Sequence, residues 1–292
     1  MDRQTELFEE HRGRLTGLAY RMLGARGEAE DVVQDAWLRW RVLESEEIEN
    51  AEAFLVRVTT RLCLDRLKSA RAQREVYVGP WLPEPVTDAA ELSPHTTAQL
   101  AEDLSYALLL SLERLSPAER AAFLLHDVFD ASYSEIAAVL ERKEATCRKL
   151  VSRARLAVRS EERTTEVDAA EHRRLLEGFV AAVMTGDVET FSGLLAEEAI
   201  ALSDGGGKVL AALNPIYGRD KVTRFVFGIA RKQQADGAEI SVRAASINGR
   251  PGLLIDVDRA LDQCVLIDTV DGLVTRLYFV RNPEKLERLA SG

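Results

Sequence analysis

The chain has 292 residues, enough for two or three ordinary domains, and its 46% hydrophobic and 29% charged residues are those of a folded globular protein. No apolar run approaches the roughly 20 residues of a membrane-spanning helix, and Met1-Asp2-Arg3-Gln4-Thr5-Glu6 lacks the basic-then-apolar pattern of a signal peptide. Three scattered cysteines and four scattered histidines offer neither a disulfide framework nor a metal-ligand cluster. A soluble cytoplasmic protein without metal, cofactor or membrane partner is expected.

A net charge of −10 argues against attachment to DNA by bulk attraction, but the charge is unevenly placed. Residues 81–110 carry acids and no Lys or Arg. Residues 142–159 hold Arg142, Lys143, Arg148, Lys149, Arg153, Arg155 and Arg159 against Glu144 alone. An acidic chain with one concentrated basic helix fits a reader of nucleic acid that relies on a partner for affinity.

Residues 1–76 read as helices. Over 28–41, Val33, Ala36, Trp37 and Trp40 share one face at helical spacing, while Asp31, Gln34, Asp35 and Leu38 repeat that spacing on the opposite face. The second face is either a solvated back or a docking surface for a basic protein. The helix from about Ala51 to Ala70 sets Leu55, Val58 and Leu62 against Arg57, Arg61, Lys68 and Arg71, and a basic face of this kind is more often merely solvated than bound to DNA. Residues 77–97 form a linker, because Pro80, Pro83 and Pro85 fix φ and remove amide donors. Within it, Trp81 and Leu82 are apolar anchors, Trp81 for its own helical domain or for another one.

Residues 98–163 are helical again. Ser116-Pro117-Ala118-Glu119 and Ser132-Tyr133-Ser134-Glu135 are capping boxes. The second opens a short helix with Ile136, Ala137 and Leu140. The turn Glu141-Arg142-Lys143 leads into a helix with Cys147, Leu150, Val151, Ala154 and Val158 inward and a basic face outward. That is a helix-turn-helix pattern lacking the usual turn glycine. Its second helix fits the major groove.

Residues 168–292 change character. After a helix near 169–184 come Gly-rich turns, then alternating runs at Ile240–Ala244, Leu253–Val257, Ala260–Thr269 and Leu273–Val280. Asn248-Gly249 and Asp271-Gly272 mark hairpins, so this part is α+β. Asp204-Gly205-Gly206-Gly207-Lys208 lacks phosphate-loop spacing and reads as a tight turn.

Two passages then resemble a known family. Glu28-Ala29-Glu30-Asp31-Val32-Val33-Gln34-Asp35-Ala36-Trp37-Leu38-Arg39 is similar to the polymerase-docking helix of extracytoplasmic-function sigma factors. Leu115-Ser116-Pro117-Ala118-Glu119-Arg120, with Tyr133-Ser134-Glu135-Ile136-Ala137, is similar to their promoter −35 reader. Trp81-Leu82-Pro83-Glu84-Pro85, Asp204–Lys208 and Asn282-Pro283-Glu284-Lys285-Leu286 resemble marks of the subgroup with a fused SnoaL-like, ketosteroid-isomerase-like cone domain.

The resemblance implies a multidomain chain of two all-α domains followed by an α+β SnoaL-like domain, acting on bacterial core RNA polymerase and promoter DNA rather than as an enzyme. It places Asp31, Gln34, Asp35 and Leu38 on polymerase, and Asn50, Arg57, Arg61, Lys68 and Arg71 at the −10 element. Arg148, Lys149, Ser152, Arg153 and Arg155 fall to the −35 duplex. Trp81, Leu82, Pro83, Glu84 and Pro85 together with Asp204, Gly205, Gly206, Gly207 and Lys208 fall to regulation by the C-terminal domain, with Lys208 expected to pair with Glu84 or another linker acid. The fold hosts enzymes with an Asp base, a role open to Asp204 in principle, and it leaves room for a small apolar ligand in the cone. A free-standing helix-turn-helix regulator with a ligand-sensing domain is the competing function.

Overall fold

The computed structural model describes residues 3–42, 50–74, 77–87, 104–162 and 169–290, so linker residues 88–97 and residues 98–103 of the second block lie outside it. The chain divides into two compact units. One comprises Met1–Val76 with Asp88–Glu161, and the other Tyr77–Thr87 with Glu162–Gly292.

In the first unit, α1 (Arg3–Leu23), α2 (Arg26–Arg41) and α3 (Ala51–Arg74) pack on one another. The inward stripe of α2 is buried at Val33, Ala36 and Trp40, and Trp37 lies against Phe8 with ring centroids 4.9 Å apart. The Trp40 indole donates to the Gln4 carbonyl at 2.9 Å, which satisfies the one polar atom of this buried ring. On α3 the buried stripe is broader than periodicity indicates, adding Thr59, Cys63 and Leu67 to Leu55 and Leu62.

The second helical block contains α4 (Tyr106–Glu113), α5 (Pro117–Phe123), a π-helical turn (Leu124–Val128), α6 (Tyr133–Leu140) and α7 (Glu144–Glu162). Both capping boxes are present, with Ser116 on Glu119 and Ser132 on Glu135. The turn between α6 and α7 reverses without glycine because Glu141 itself takes the left-handed conformation (φ 54°), and the Arg142 amide bonds back to Ala137 at 3.0 Å. Ile136, Val139, Cys147 and Val151 close the core of the helix pair with Ala122 and Leu125.

The two helical blocks touch through α1 and α3. Arg120, 3% exposed on α5, donates to the Met22 carbonyl and pairs with Glu113 at 2.7 Å.

In the second unit, α8 (Ala169–Thr185), α9 (Val188–Leu194) and α10 (Arg219–Ala235) cover one face of a six-stranded sheet, and α11 (Pro283–Ala290) packs against β5. The strands are β1 (Leu195–Asp204), β2 (Ile216–Tyr217), β3 (Ile240–Ile247), β4 (Arg250–Val257), β5 (Ala260–Val270) and β6 (Leu273–Val280), in the order β2-β1-β6-β5-β4-β3. Only β1 and β6 pair in parallel. Register shifts between Ile255/Asp256 and Asp268/Thr269 are bulges of the kind that bend a sheet around its helices. Phe179, Phe191 and Phe227 meet Val265, Ile267, Leu277 and Phe279 in one core. This is the α+β block that the hairpin signals indicate. The stretch read as Gly-rich turns holds α9, β1, β2 and α10. Among the described residues no helix is long and apolar enough to cross a membrane.

Hydrogen bonds with Ser132 hold the Glu135 carboxyl below its ordinary range. A group depressed on folding stabilises above its unfolded pKa, and that stabilisation is lost as pH falls through the folded value. Ser132→Ala should therefore cost about 1 kcal/mol at neutral pH and less below about pH 4, measured by urea unfolding at both pH values.

Candidate polymerase and nucleic-acid interfaces and the linker dock

The outward face of α2 presents Asp31, Gln34 and Leu38 to solvent, Leu38 being 48% exposed, with Asp35 half-buried beside them. Arg66 of α3 bridges Asp31 and Asp35 at 3.3 Å each. The acids of this face are thus held in place by one guanidinium.

The candidate −10 residues do not form one open surface. Asn50 caps the first turn of α3, its side-chain oxygen accepting from the Ala53 amide at 2.9 Å. Arg57 is exposed and lies over the Phe54 ring, and Lys68 pairs with Asp65 at 2.8 Å. The Arg71 side chain lies outside the described residues. Arg61 is turned toward the second helical block, donating to Ala138 and Val139 carbonyls at 3.0 and 3.2 Å and pairing with Glu141 at 3.0 Å. A cation at the C-terminal end of α6 is favourably placed against its free carbonyls.

On α7, Arg148, Lys149, Ser152 and Arg153 are exposed on one face. Lys149, Ser152 and Arg153 have no side-chain partner among the described residues, which leaves them available to phosphates and base edges. Arg148 pairs with Glu144 at 3.0 Å and lies over the Tyr133 ring. Arg155 is clasped by Asp127, whose carboxylate makes its guanidinium still harder to deprotonate.

The second unit contains the most fully satisfied polar site. Asp204, 0% exposed at the end of β1, accepts from the Tyr77 hydroxyl at 2.6 Å and the Leu82 amide at 2.9 Å. It also accepts from the Gly206 amide at 3.0 Å and the Lys285 ammonium at 2.6 Å. The Asp204 carbonyl accepts from the Arg281 and Asn282 amides, and the Asn282 side chain donates to the Tyr77 oxygen at 3.0 Å. Burial, and then the bond to Asp204, push the Tyr77 phenol well above its ordinary pKa, so it stays a donor. Lys285 also bonds the Leu82 carbonyl and sits 4.3 Å from the centre of the half-buried Trp81 ring.

Leu82, Pro83, Glu84, Pro85 and Val86 are buried in this unit. Val86 exchanges two hydrogen bonds with Asn248, and Glu84 faces Arg288 at 3.8 Å. Gly206 and Gly207 both have positive φ. A Cβ on Gly206 would lie 2.4 Å from the Asn282 amide nitrogen, and one on Gly207 3.1 Å from Val78. The glycines are required by close approach to the linker and its holder.

One expectation needs correction. Lys208 pairs with Glu284 of α11, not with Glu84 or another linker acid. The cation on the buried site is Lys285, three helical positions on from Asn282. Asp204 is no general base, because both its oxygens are already engaged by Tyr77, Leu82, Gly206 and Lys285. Sequence reading missed Tyr77 and Asn248 as linker and dock residues; Asn248 was visible only as the first half of a hairpin turn.

Residues 7–73 match Sigma-70 region 2, and residues 105–158 match Sigma-70, region 4. ECF RNA polymerase sigma factor SigJ of Mycobacterium tuberculosis is 37% identical over 287 residues, covering 95% of this chain and 91% of that protein. The probable ECF RNA polymerase sigma factor SigI of the same species is 31% identical over 281 residues, 96% and 93% of the two chains. The crystal structure of Mycobacterium tuberculosis SigJ matches with a TM-score of 0.77 and 34% identity, over 97% of this chain and 98% of that one. The chain belongs to the extracytoplasmic-function RNA polymerase sigma factors, and it directs core polymerase to promoters in the bacterial cytoplasm.

Replacing Tyr77 by Phe removes one donor from Asp204 and the acceptor of Asn282, a loss of about 1–3 kcal/mol from linker docking. Chymotryptic cleavage after Trp81 should then rise about 5–150-fold at unchanged helix content, measured by limited proteolysis and circular dichroism.

Proposed function

We propose that this sigma factor is restrained by its own C-terminal block, through the clasp on residues 77–87. The observation that carries the proposal is the buried bonding of Tyr77 and Leu82 to Asp204 and Lys285. Within the domain plan 1–76, 77–97, 98–163 and 168–292, the clasped segment is the covalent path between the region 2 and region 4 blocks. Promoter elements centred at −10 and −35 lie about 25 base pairs apart, roughly 85 Å along B-form DNA at 3.4 Å per step. Blocks joined by the Arg61–Glu141 pair at 3.0 Å cannot bridge that distance. They must separate, and a linker fixed on another unit limits where the second block can go.

In the opened state Asp31, Gln34, Asp35 and Leu38 dock on polymerase. Asn50, Arg57, Arg61, Lys68 and Arg71 serve the −10 element, and Arg148, Lys149, Ser152, Arg153 and Arg155 the −35 duplex. Two weak grips gain strength when one large enzyme holds both at fixed spacing, which raises their effective concentration. The C-terminal block in turn takes a small apolar ligand between its sheet and helices.

Run-off transcription with core polymerase tests the restraint. Asp204→Ala should raise promoter-specific product severalfold, and equal or lower product from a folded variant contradicts the restraint. Asp35→Arg should weaken core-polymerase association at least about tenfold, a cost of about 1.4 kcal/mol or more, with thermal stability retained. Unchanged association by pull-down titration removes this face from the interface.

A further inference from the structure

The sheet and helices of the second unit leave a cavity of about 400 Å³ between them, walled by Phe179, Val226, Val242, Ile255 and Phe279. That volume suits a small organic molecule. No ionisable side chain lines it among the described residues; its polar members are the amides of Gln233, Gln234 and Gln263. Gln263, on β5, is 6% exposed, and its side chain has no hydrogen-bond partner among the described residues. An amide without a protein partner that opens on the cavity is satisfied there by water or by a ligand. A charged ligand would lose its hydration with no opposite charge to meet.

We propose that this cavity binds a small uncharged, largely apolar molecule carrying one hydrogen-bonding group, and that Gln263 receives that group. The proposal rests on the reading of the C-terminal block as a ligand-taking regulator, and adds to it the ligand's charge class and its polar contact. The cavity adjoins the linker dock in sequence. Phe279 walls the cavity, and Asn282, which holds Tyr77, follows three residues later. A ligand that favours one state of the dock over the other shifts the restraint by that difference in affinity.

Fluorescence titration of the full chain tests the site with two probes of one skeleton. N-phenyl-1-naphthylamine is neutral and carries an N–H donor, and 8-anilino-1-naphthalenesulfonate adds a negative charge. The neutral probe should bind saturably at one per chain, and the sulfonate at least about tenfold more weakly. Gln263→Leu should weaken the neutral probe about tenfold at unchanged unfolding midpoint. Val242→Trp should abolish binding by filling the space, and if that variant does not fold, Gln263→Leu decides alone. Equal affinity for the two probes, or binding indifferent to Gln263→Leu, overturns the proposal. Saturable neutral binding that Val242→Trp abolishes and Gln263→Leu leaves intact overturns it while sparing an apolar ligand. Absence of binding by either probe overturns both, and run-off transcription judges the sigma-factor role separately.

Discussion

A carboxylate with no solvent exposure has to be surrounded by donors, and Asp204 draws its donors from parts of the chain far apart in sequence. Tyr77 and Leu82 come from the linker, Gly206 from the turn that follows β1, and Lys285 from the last helix. Removing one partner of such a buried pair costs about 3–5 kcal/mol, because the remaining charge cannot recover its hydration. The linker is thereby part of the C-terminal fold, although in sequence it lies between the two blocks that read the promoter. A segment that joins those blocks along the chain thus also satisfies a buried charge in the second unit.

The helical blocks show a related economy of charge. Arg61, Arg66 and Arg155 each meet an internal carboxylate, in Glu141, Asp31 with Asp35, and Asp127. These pairs are partly exposed, so each contributes little to stability and yields readily to a partner offering more charge. Three of the basic groups are in this way engaged by carboxylates of the same chain. Lys149, Ser152 and Arg153 on α7 have no such partner among the described residues.

Local chemistry was legible in the sequence, and long-range pairing was not. The capping boxes at Ser116 and Ser132 were readable because donor and acceptor lie within one helical turn. The hairpins at Asn248-Gly249 and Asp271-Gly272 were readable because positive φ restricts residue choice at a turn. β1 escaped notice: it runs partly exposed through Glu197 and Glu198, and it pairs in parallel with β6, which follows it by some seventy positions in the chain. The motif around Asp204 was visible, yet its cation was assigned to the adjacent Lys208. Nothing local distinguishes Lys208 from Lys285; only the fold, which brings Lys285 of α11 to Asp204 at the end of β1, decides between them. The left-handed Glu141 likewise breaks a compositional rule, since a non-glycine residue carries the turn strain where its carboxylate also meets Arg61.

Restraint by the clasp implies that the linker leaves its dock when the factor works. The Leu82 amide reports this directly, because its hydrogen bond to Asp204 exists only in the docked state. Hydrogen–deuterium exchange of the peptide containing Leu82 should be slow in the free chain and at least about tenfold faster in the assembled promoter complex with core polymerase. Equal protection in the free chain and in a complex that is actively initiating transcription would contradict the restraint.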